Sequence, residues 1–392
     1  MSGMKRREFI TLLGGAATAL PLAARAQTPD VTKRIGVLSP YPESDKAIQA
    51  QLALFRSALE QLGWSEGHNL RIDYRWAGGD MDRLPQLGRE LVELRPNALF
   101  VAATPGAVAA MHATRTIPIV FVVVSDPVGD GLVASIAHPG GNVTGFTNGL
   151  EQAIGGKWIE ILREIAPSVT RFGIMYNPRT APGGGAYYMG LIKRAADTLQ
   201  VGIIPTLIEN ADGIDAAFQT LAREADGGLL VVPDATTTAN RAQIVALAAR
   251  LRVPAIYPFR FFSEEGGLVS YGIEVGDVYR RAAAYIDRIL RGATPAELPV
   301  QAPTKFDLVI NLKTAKALGI TVPLIMQMTA DEVIETPRVH HAARRCGGRV
   351  AARGAGAAAG DAGDRVSRTQ FGAGERQTPG GISQRLERKR LC

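Results

Sequence analysis

The sequence predicts an α/β protein made of two doubly wound parallel-sheet lobes, with a hinge and an interlobe cleft. Three observations lead there. Short apolar runs alternate with longer amphipathic segments through most of the chain, the pattern of strands crossed over by helices. The order of elements then restarts: Thr170-Arg-Phe-Gly-Ile-Met-Tyr-Asn-Pro echoes Lys33-Arg-Ile-Gly-Val-Leu-Ser-Pro. Residues 27–335 are also enough for two domains of ordinary size.

Taken in order, Arg34–Ser39 reads as a buried strand and Ile48–Gly63 as a helix stopped by glycine. Leu70–Trp76 alternates like a strand, Met81–Leu94 has helical spacing, and Ala98–Ala103 is a second apolar strand. Pro105–Thr114 follows as a helix and Ile117–Val124 as a strongly β-branched strand. In the second half, Gly228–Pro233, a helix and Val253–Tyr257 repeat the motif of Leu99–Ala103, a helix and Ile117–Phe121.

Lobe one is expected to hold 33–147 plus about 270–298, and lobe two 148–268 plus about 304–330. The chain crosses near Gly145–Gly149 and returns near Phe259–Tyr271. The extended Pro299–Pro303 segment offers a third crossing, before Phe306–Ile310 and a short helix to Leu318.

The two ends differ from this core. Lys5-Arg6-Arg7 followed by Glu-Phe-Ile-Thr-Leu-Leu, a short apolar run and Ala24-Arg-Ala26 reads as a twin-arginine export signal over residues 1–26, cleaved after Ala26. That places the mature protein in the periplasm. After Glu335 apolar periodicity stops, and residues 336–392 carry 11 Arg. These ends hold +3 and +8 of the chain's net +7, which leaves residues 27–335 at −4. The basic balance therefore gives no reason to expect nucleic acid as a partner of the core.

Permitted codons for Glu335–Arg345, read one base later, encode Lys-Arg-Arg-Glu-Phe-Ile-Thr-Leu-Leu-Gly, which repeats residues 5–14. The same shift at Gly381–Cys392 yields Ala-Phe-Arg-Asn-Gly-Leu-Asn-Glu-Ser-Gly-Tyr, similar to Leu54–Trp64. The tail is thus expected to be a disordered basic segment, an out-of-frame reading of a neighbouring paralogous gene. Both cysteines, Cys346 and Cys392, lie in it, so the core has no disulfide or thiolate chemistry. His340, His341 and Cys346 fit no standard metal spacing.

Ligands of parallel sheets collect at the carboxyl ends of strands, where helix N-termini point. The candidate ligand residues follow from that rule. Ser39 and Tyr41 follow the first strand. Thr104, Pro105 and Gly106 open a helix, with Thr104 a suitable N-cap, and Ser125 and Asp126 follow the next strand. In lobe two the equivalents are Asn177, Asp234 and Thr236, with Tyr257 and Arg260 at the return crossing. Each has a plainer reading as a cap, a turn, a core residue or a surface charge. Asp126 and Asp234 suit an amine; Arg260 and the helix N-termini suit a carboxylate. His68, His112 and His138 stand alone, and no phosphate loop, dinucleotide fingerprint or nucleophile elbow is present. No catalytic set, metal or cofactor is expected.

Several long motifs carry a resemblance. Val124-Ser-Asp-Pro-Val-Gly-x-Gly-Leu-Val-Ala-Ser, His138-Pro-Gly-Gly-Asn-Val-Thr-Gly, Gly267-Leu-Val-Ser-Tyr-Gly and Leu298-Pro-Val-Gln-x-Pro-Thr-Lys-Phe look like the ABC-transporter substrate-binding proteins of the tryptophan-binding-like family. Ala330-Asp-Glu-Val-Ile-Glu335 resembles that family's usual ending. The resemblance implies a periplasmic-binding-protein fold of type I-like form. It also implies a monomer that closes on a small solute and delivers it to a membrane permease, an amino acid or related carboxylate being the expected ligand. A ligand sensor on the same fold, and less so a periplasmic enzyme, are the alternatives.

Overall fold

The computed structural model describes residues 32–335 apart from 151, 224 and 225. The expected export signal, the basic tail and its His340, His341 and Cys346 lie outside the described residues.

The first sheet has five parallel strands in the order β2-β1-β3-β4-β5: β1 (Lys33–Ser39), β2 (Leu70–Trp76), β3 (Ala98–Ala102), β4 (Ile119–Val124) and β5 (Val143–Thr147). The near-continuous apolar runs of its inner strands β3 and β4 follow from helices on both faces, whereas the edge strand β2 alternates apolar with polar residues. Those helices are α1 (Lys46–Gln61), α2 (Leu84–Glu93) and α3 (Ala103–Ala113). A short 3₁₀ turn, Met81–Arg83, leads into α2. Phe55 of α1 stacks on Phe100 of β3 at 4.2 Å between ring centres, both fully buried. Asp45 caps α1, its Oδ1 accepting from the Ala47 and Ile48 amides at 3.0 and 3.2 Å.

The second sheet has seven strands in the order β12-β11-β10-β9-β8-β6-β7. These are β6 (Arg171–Tyr176), β7 (Gly202–Leu207), β8 (Gly227–Val231), β9 (Ala255–Tyr257), β10 (Val269–Ile273), β11 (Phe306–Asn311) and β12 (Glu332–Ile334). It is parallel except at the β10–β11 pair, which runs antiparallel. Around it lie α4 (Gln152–Ile165), α5 (Ala186–Leu199), α6 (Ala211–Leu221), α7 (Ala235–Ala239), α8 (Arg241–Arg250), α9 (Arg260–Glu264), α11 (Leu312–Leu318) and α12 (Leu324–Thr329). The intervening α10 (Val275–Leu290) returns to the first lobe, where Tyr279 meets Phe100 edge-on at 5.4 Å.

Three crossings join the lobes. The first follows β5 at Asn148–Leu150. The second lies at Glu274, between β10 and α10. The return thus comes after β10 rather than at its start: Gly266-Gly267 precede a strand that stays in lobe two, because β10 pairs there with both β9 and β11. The third follows Gln301, which is still stitched to lobe one through Gln301 N to Gly145 O and Thr147 N to Gln301 O, both 2.9 Å. The first and third crossings nearly touch at Gly149. Its φ is +66°, and a Cβ there would come within 2.4 Å of Pro303 Cγ, so glycine is required twice over.

The helix after β3 begins two residues earlier than its proline suggests. Ala102 sits at the N-cap position with no capping side chain, and Thr104 is inside the helix rather than capping it. Ala103 makes the turn with φ of +60°, and Val123, at a register shift near the end of β4, has φ of +59°. Left-handed backbone at alanine, and still more at a β-branched residue, stores strain. Both strained residues stand at adjacent strand ends.

Candidate ligand-binding site

The strand ends of the two lobes face each other across a cleft of about 660 Å³. Lobe one contributes Gly78–Asp82 after β2, Thr104 and Pro105 at the start of α3, and Asp130. Lobe two contributes Asn177 and Arg179–Ala181 after β6, Glu209–Ala211 after β7, and Thr236 and Asn240. At the exposed edge Arg179 Nη2 bonds Asp82 Oδ1 across the cleft at 2.5 Å.

Of the sequence candidates, Thr104, Pro105, Asn177 and Thr236 line this cleft. Asn177 is 2% exposed and works as a bracket. Its Nδ2 donates to Glu209 O at 2.9 Å and to Thr236 Oγ1 at 3.0 Å, and its Oδ1 accepts from Arg179 N at 2.8 Å. One side chain therefore sets the positions of three parts of the lobe-two wall. Across from it, Thr104 Oγ1 accepts a long bond from Ser125 N at 3.4 Å, and no side chain caps the first turn of α3. That turn keeps unsatisfied amides beside the cleft, where they favour an anion.

The remaining candidates do not line the cleft, and the reasons are physical. Gly106 sits one residue further along α3, packed toward Leu38. Ser39 is buried and accepts from Tyr41 N at 3.3 Å, closing its own turn. Tyr41 is buried beneath Phe259 and Tyr279 around a separate small void. Burial pushes its hydroxyl pKa far up. Asp126 accepts from Gly129 N at 2.8 Å and so spends its carboxylate on a turn.

Ser125 belongs to a buried chain between the lobes. Tyr188 donates to Pro233 O at 3.1 Å, and its single hydrogen is then used, so Ser125 Oγ donates to Tyr188 Oη at 2.9 Å. Asn148 Nδ2 in turn donates to Ser125 Oγ at 2.7 Å.

Asp234 is 3% exposed and caps α7. It accepts from Thr236 N at 2.8 Å, Thr237 N at 3.3 Å and Thr180 Oγ1 at 2.7 Å. Burial pushes its pKa up to about 6, against the pull of those bonds. Tyr257 is buried against Phe262, their rings stacked at 5.0 Å. Arg260 is held by Glu264, Asp307 and Glu332 within lobe two, so its charge is satisfied away from the cleft.

Sequence reasoning overlooked Gly78-Gly79-Asp80 and Glu209-Asn210. The same strand-end rule finds both, since they follow β2 and β7. It also overlooked Arg179, Thr180 and Asp130. His112, which stands alone in the sequence, lines the cleft as well. Among the described residues no group of three His, Cys, Asp or Glu is arranged to hold a metal ion, and no helix is long and apolar enough to cross a membrane.

Comparison with known proteins agrees with this geometry. The family model for ABC transporter substrate binding protein matches residues 37–334. A curated tyrosine-binding protein of Clostridioides difficile is 27% identical over 304 residues, covering 77% of this chain and 84% of that protein. The crystal structure of a conserved domain protein from Vibrio cholerae superposes with a TM-score of 0.72 at 31% identity, over 77% of this chain and 99% of that one. A Streptococcus pneumonia ABC domain in complex with L-Trp shares the fold, with a TM-score of 0.70 at 24% identity over 77% of this chain and all of the other. Two α/β lobes, a cleft walled by the strand ends of both and a family match across nearly all the described residues lead to one conclusion: the chain belongs to the ABC transporter substrate-binding protein family.

Proposed function

We propose that this protein is the periplasmic solute-binding component of an ABC importer, and that its ligand is an amino acid or a related carboxylate. The observation that carries the reading is the two-sided cleft. Thr104 of lobe one faces a lobe-two wall of Asn177, Thr180 and Thr236, so a small solute can touch polar groups of both lobes at once. A site built from both walls favours the closed arrangement in proportion to the extra contacts made there. The uncapped first turn of α3, with the Thr104 hydroxyl, is suited to the ligand's carboxylate. The tyrosine-binding relative and the tryptophan-bound structural neighbour favour the amino-acid class. Export rests on the twin-arginine pattern at Lys5-Arg6-Arg7, and delivery to a permease rests on membership of the family.

The test is thermal unfolding of the purified protein with the twenty amino acids and a set of branched acids, nucleosides and sugars. A ligand of the folded state stabilises it by about 2.7 kcal/mol at a hundred times its Kd, and the midpoint rises with concentration. An amino acid is expected to give such a rise, and Asn177→Ala to diminish it. A rise only with sugars or nucleosides would replace the ligand class, and no rise with any of them would count against a solute-binding role.

A further inference from the structure

Among the described residues, one carboxylate in the cleft has an oxygen that no donor reaches. Asp130 follows the turn after β4, where its amide bonds Asp126 O at 3.0 Å and fixes its place. The residue lines the cleft, its Oδ2 is shielded from solvent, and no hydrogen-bond donor reaches that oxygen. The other acidic groups nearby are engaged or open to water. Asp80 caps the 3₁₀ turn through Asp82 N at 3.0 Å, Asp82 pairs with Arg179, and Glu209 is exposed. Asp126 and Asp234 are closed into their own turns. Arg179 is the one Lys or Arg among the lining residues, and its guanidinium is already on Asp82.

A shielded carboxylate oxygen without a donor is costly. Burial, and then the neighbouring Asp126, push Asp130 up to about 6. A ligand ammonium supplies three donors and the compensating charge. Asp130 also occupies the position that the Val-Ser-Asp-Pro-Val-Gly-x-Gly motif leaves open.

On the amino-acid reading above, we propose that Asp130 seats the ligand's protonated amine, so that the cleft takes primary ammonium compounds, zwitterionic or cationic, in preference to plain carboxylates. The uncapped turn of α3 then receives the opposite end of a zwitterion.

The experiment is isothermal titration of the full chain with L-tryptophan, L-tyrosine and L-arginine. Each is paired with its deaminated counterpart: indole-3-propionate, 3-(4-hydroxyphenyl)propionate and 5-guanidinopentanoate. At least one amino acid is expected to bind tenfold or more tighter than its counterpart. Asp130→Asn, which keeps the side chain's shape, is expected to weaken that amino acid at least tenfold and to shrink its preference over the deaminated probe. Asp126→Asn is expected to leave both unchanged. Equal binding of an amino acid and its counterpart, or wild-type affinity in Asp130→Asn, overturns the amine seat while amino-acid binding stands. Failure of all six probes on the wild-type protein, together with no thermal rise from any of the twenty amino acids, overturns the amino-acid reading and the seat with it. Should Asp130→Asn not fold, the wild-type comparison alone decides.

Discussion

Replacing Arg241 with methionine removes a guanidinium that ties the two lobes together. Arg241 opens α8 in lobe two and grips Asp45, the cap of α1 in lobe one, in a two-pronged pair at 2.5 and 2.9 Å. A third bond runs from Nε to Glu265 at 2.7 Å, and the guanidinium lies over Phe261 at 5.2 Å. The two paired side chains are only 10% and 5% exposed. Breaking a buried pair from one side costs about 3–5 kcal/mol, because a charge stays behind without its partner.

Two features pull the expectation to the lower end. Asp45 keeps its two amide donors at the positive end of α1, and Glu265, 34% exposed, can turn to water. About 3 kcal/mol is therefore expected for Arg241→Met. Asp45→Asn should cost only about 1 kcal/mol, since asparagine caps helices as well as aspartate does and Arg241 retains Glu265. The double variant should be less damaged than the sum of the singles by about 2 kcal/mol, within the range for residues in contact. Urea unfolding followed by circular dichroism reads this as midpoint shifts at constant slope. Arg241→Met within about 0.5 kcal/mol of wild type, or strict additivity in the double variant, would refute the buried-pair argument.

Other consequences can be checked in the same way. Because the Asp234 pKa is raised to about 6, the folded chain keeps a proton between about pH 4 and 6 that the unfolded chain has released. Its contribution therefore falls as pH rises through that window, by about 3 kcal/mol, and is flat above it. Asp234→Asn, which preserves the cap, should gain on wild type across those pH values in thermal melts; a constant difference would contradict the assignment. Tyr188→Phe leaves the Pro233 carbonyl and the Ser125 hydroxyl without their shared partner and should cost about 2 kcal/mol in urea unfolding. Ala103→Gly should leave stability unchanged or raise it by about 0.5 kcal/mol, where alanine to glycine inside a helix ordinarily costs about 1 kcal/mol, because Ala103 already occupies left-handed backbone. A full helical penalty in the same unfolding assay would show that the strain is absent.

The strand-end rule located both walls of the cleft but not which side chains face it. Asp234 and Asn177 follow β8 and β6 at equivalent places. Asn177 spans to Glu209 and Thr236, whereas the Asp234 carboxylate folds back on its own helix. The difference lies in donors supplied by Thr180 and the α7 amides, which strand spacing does not register. Arg260 suited a ligand carboxylate until its partners were placed: Asp307 and Glu332 are 47 and 72 residues away in the chain. Tyr41 and Tyr257 stand beside strand ends as candidate ligand residues, yet both lie in the core, where their rings are removed from water by packing.

Local spacing carries the strands, the helices and most of their order, because alternation and helical periodicity are written within a few neighbouring residues and reflect burial directly. The restart at Thr170 carries the second lobe for the same reason. Tertiary contact alone assigns β10 to lobe two, since that depends on its pairing with β11, a strand more than thirty residues further along. It alone starts α3 at Ala103, where a strained alanine turns the chain and leaves Thr104 inside the helix. And it alone leaves Asp130 Oδ2, among the described residues, as a shielded carboxylate oxygen that no donor reaches, while Asp126 and Asp234 find donors within their own lobes, because hydrogen-bond satisfaction depends on folded geometry and not on residue type.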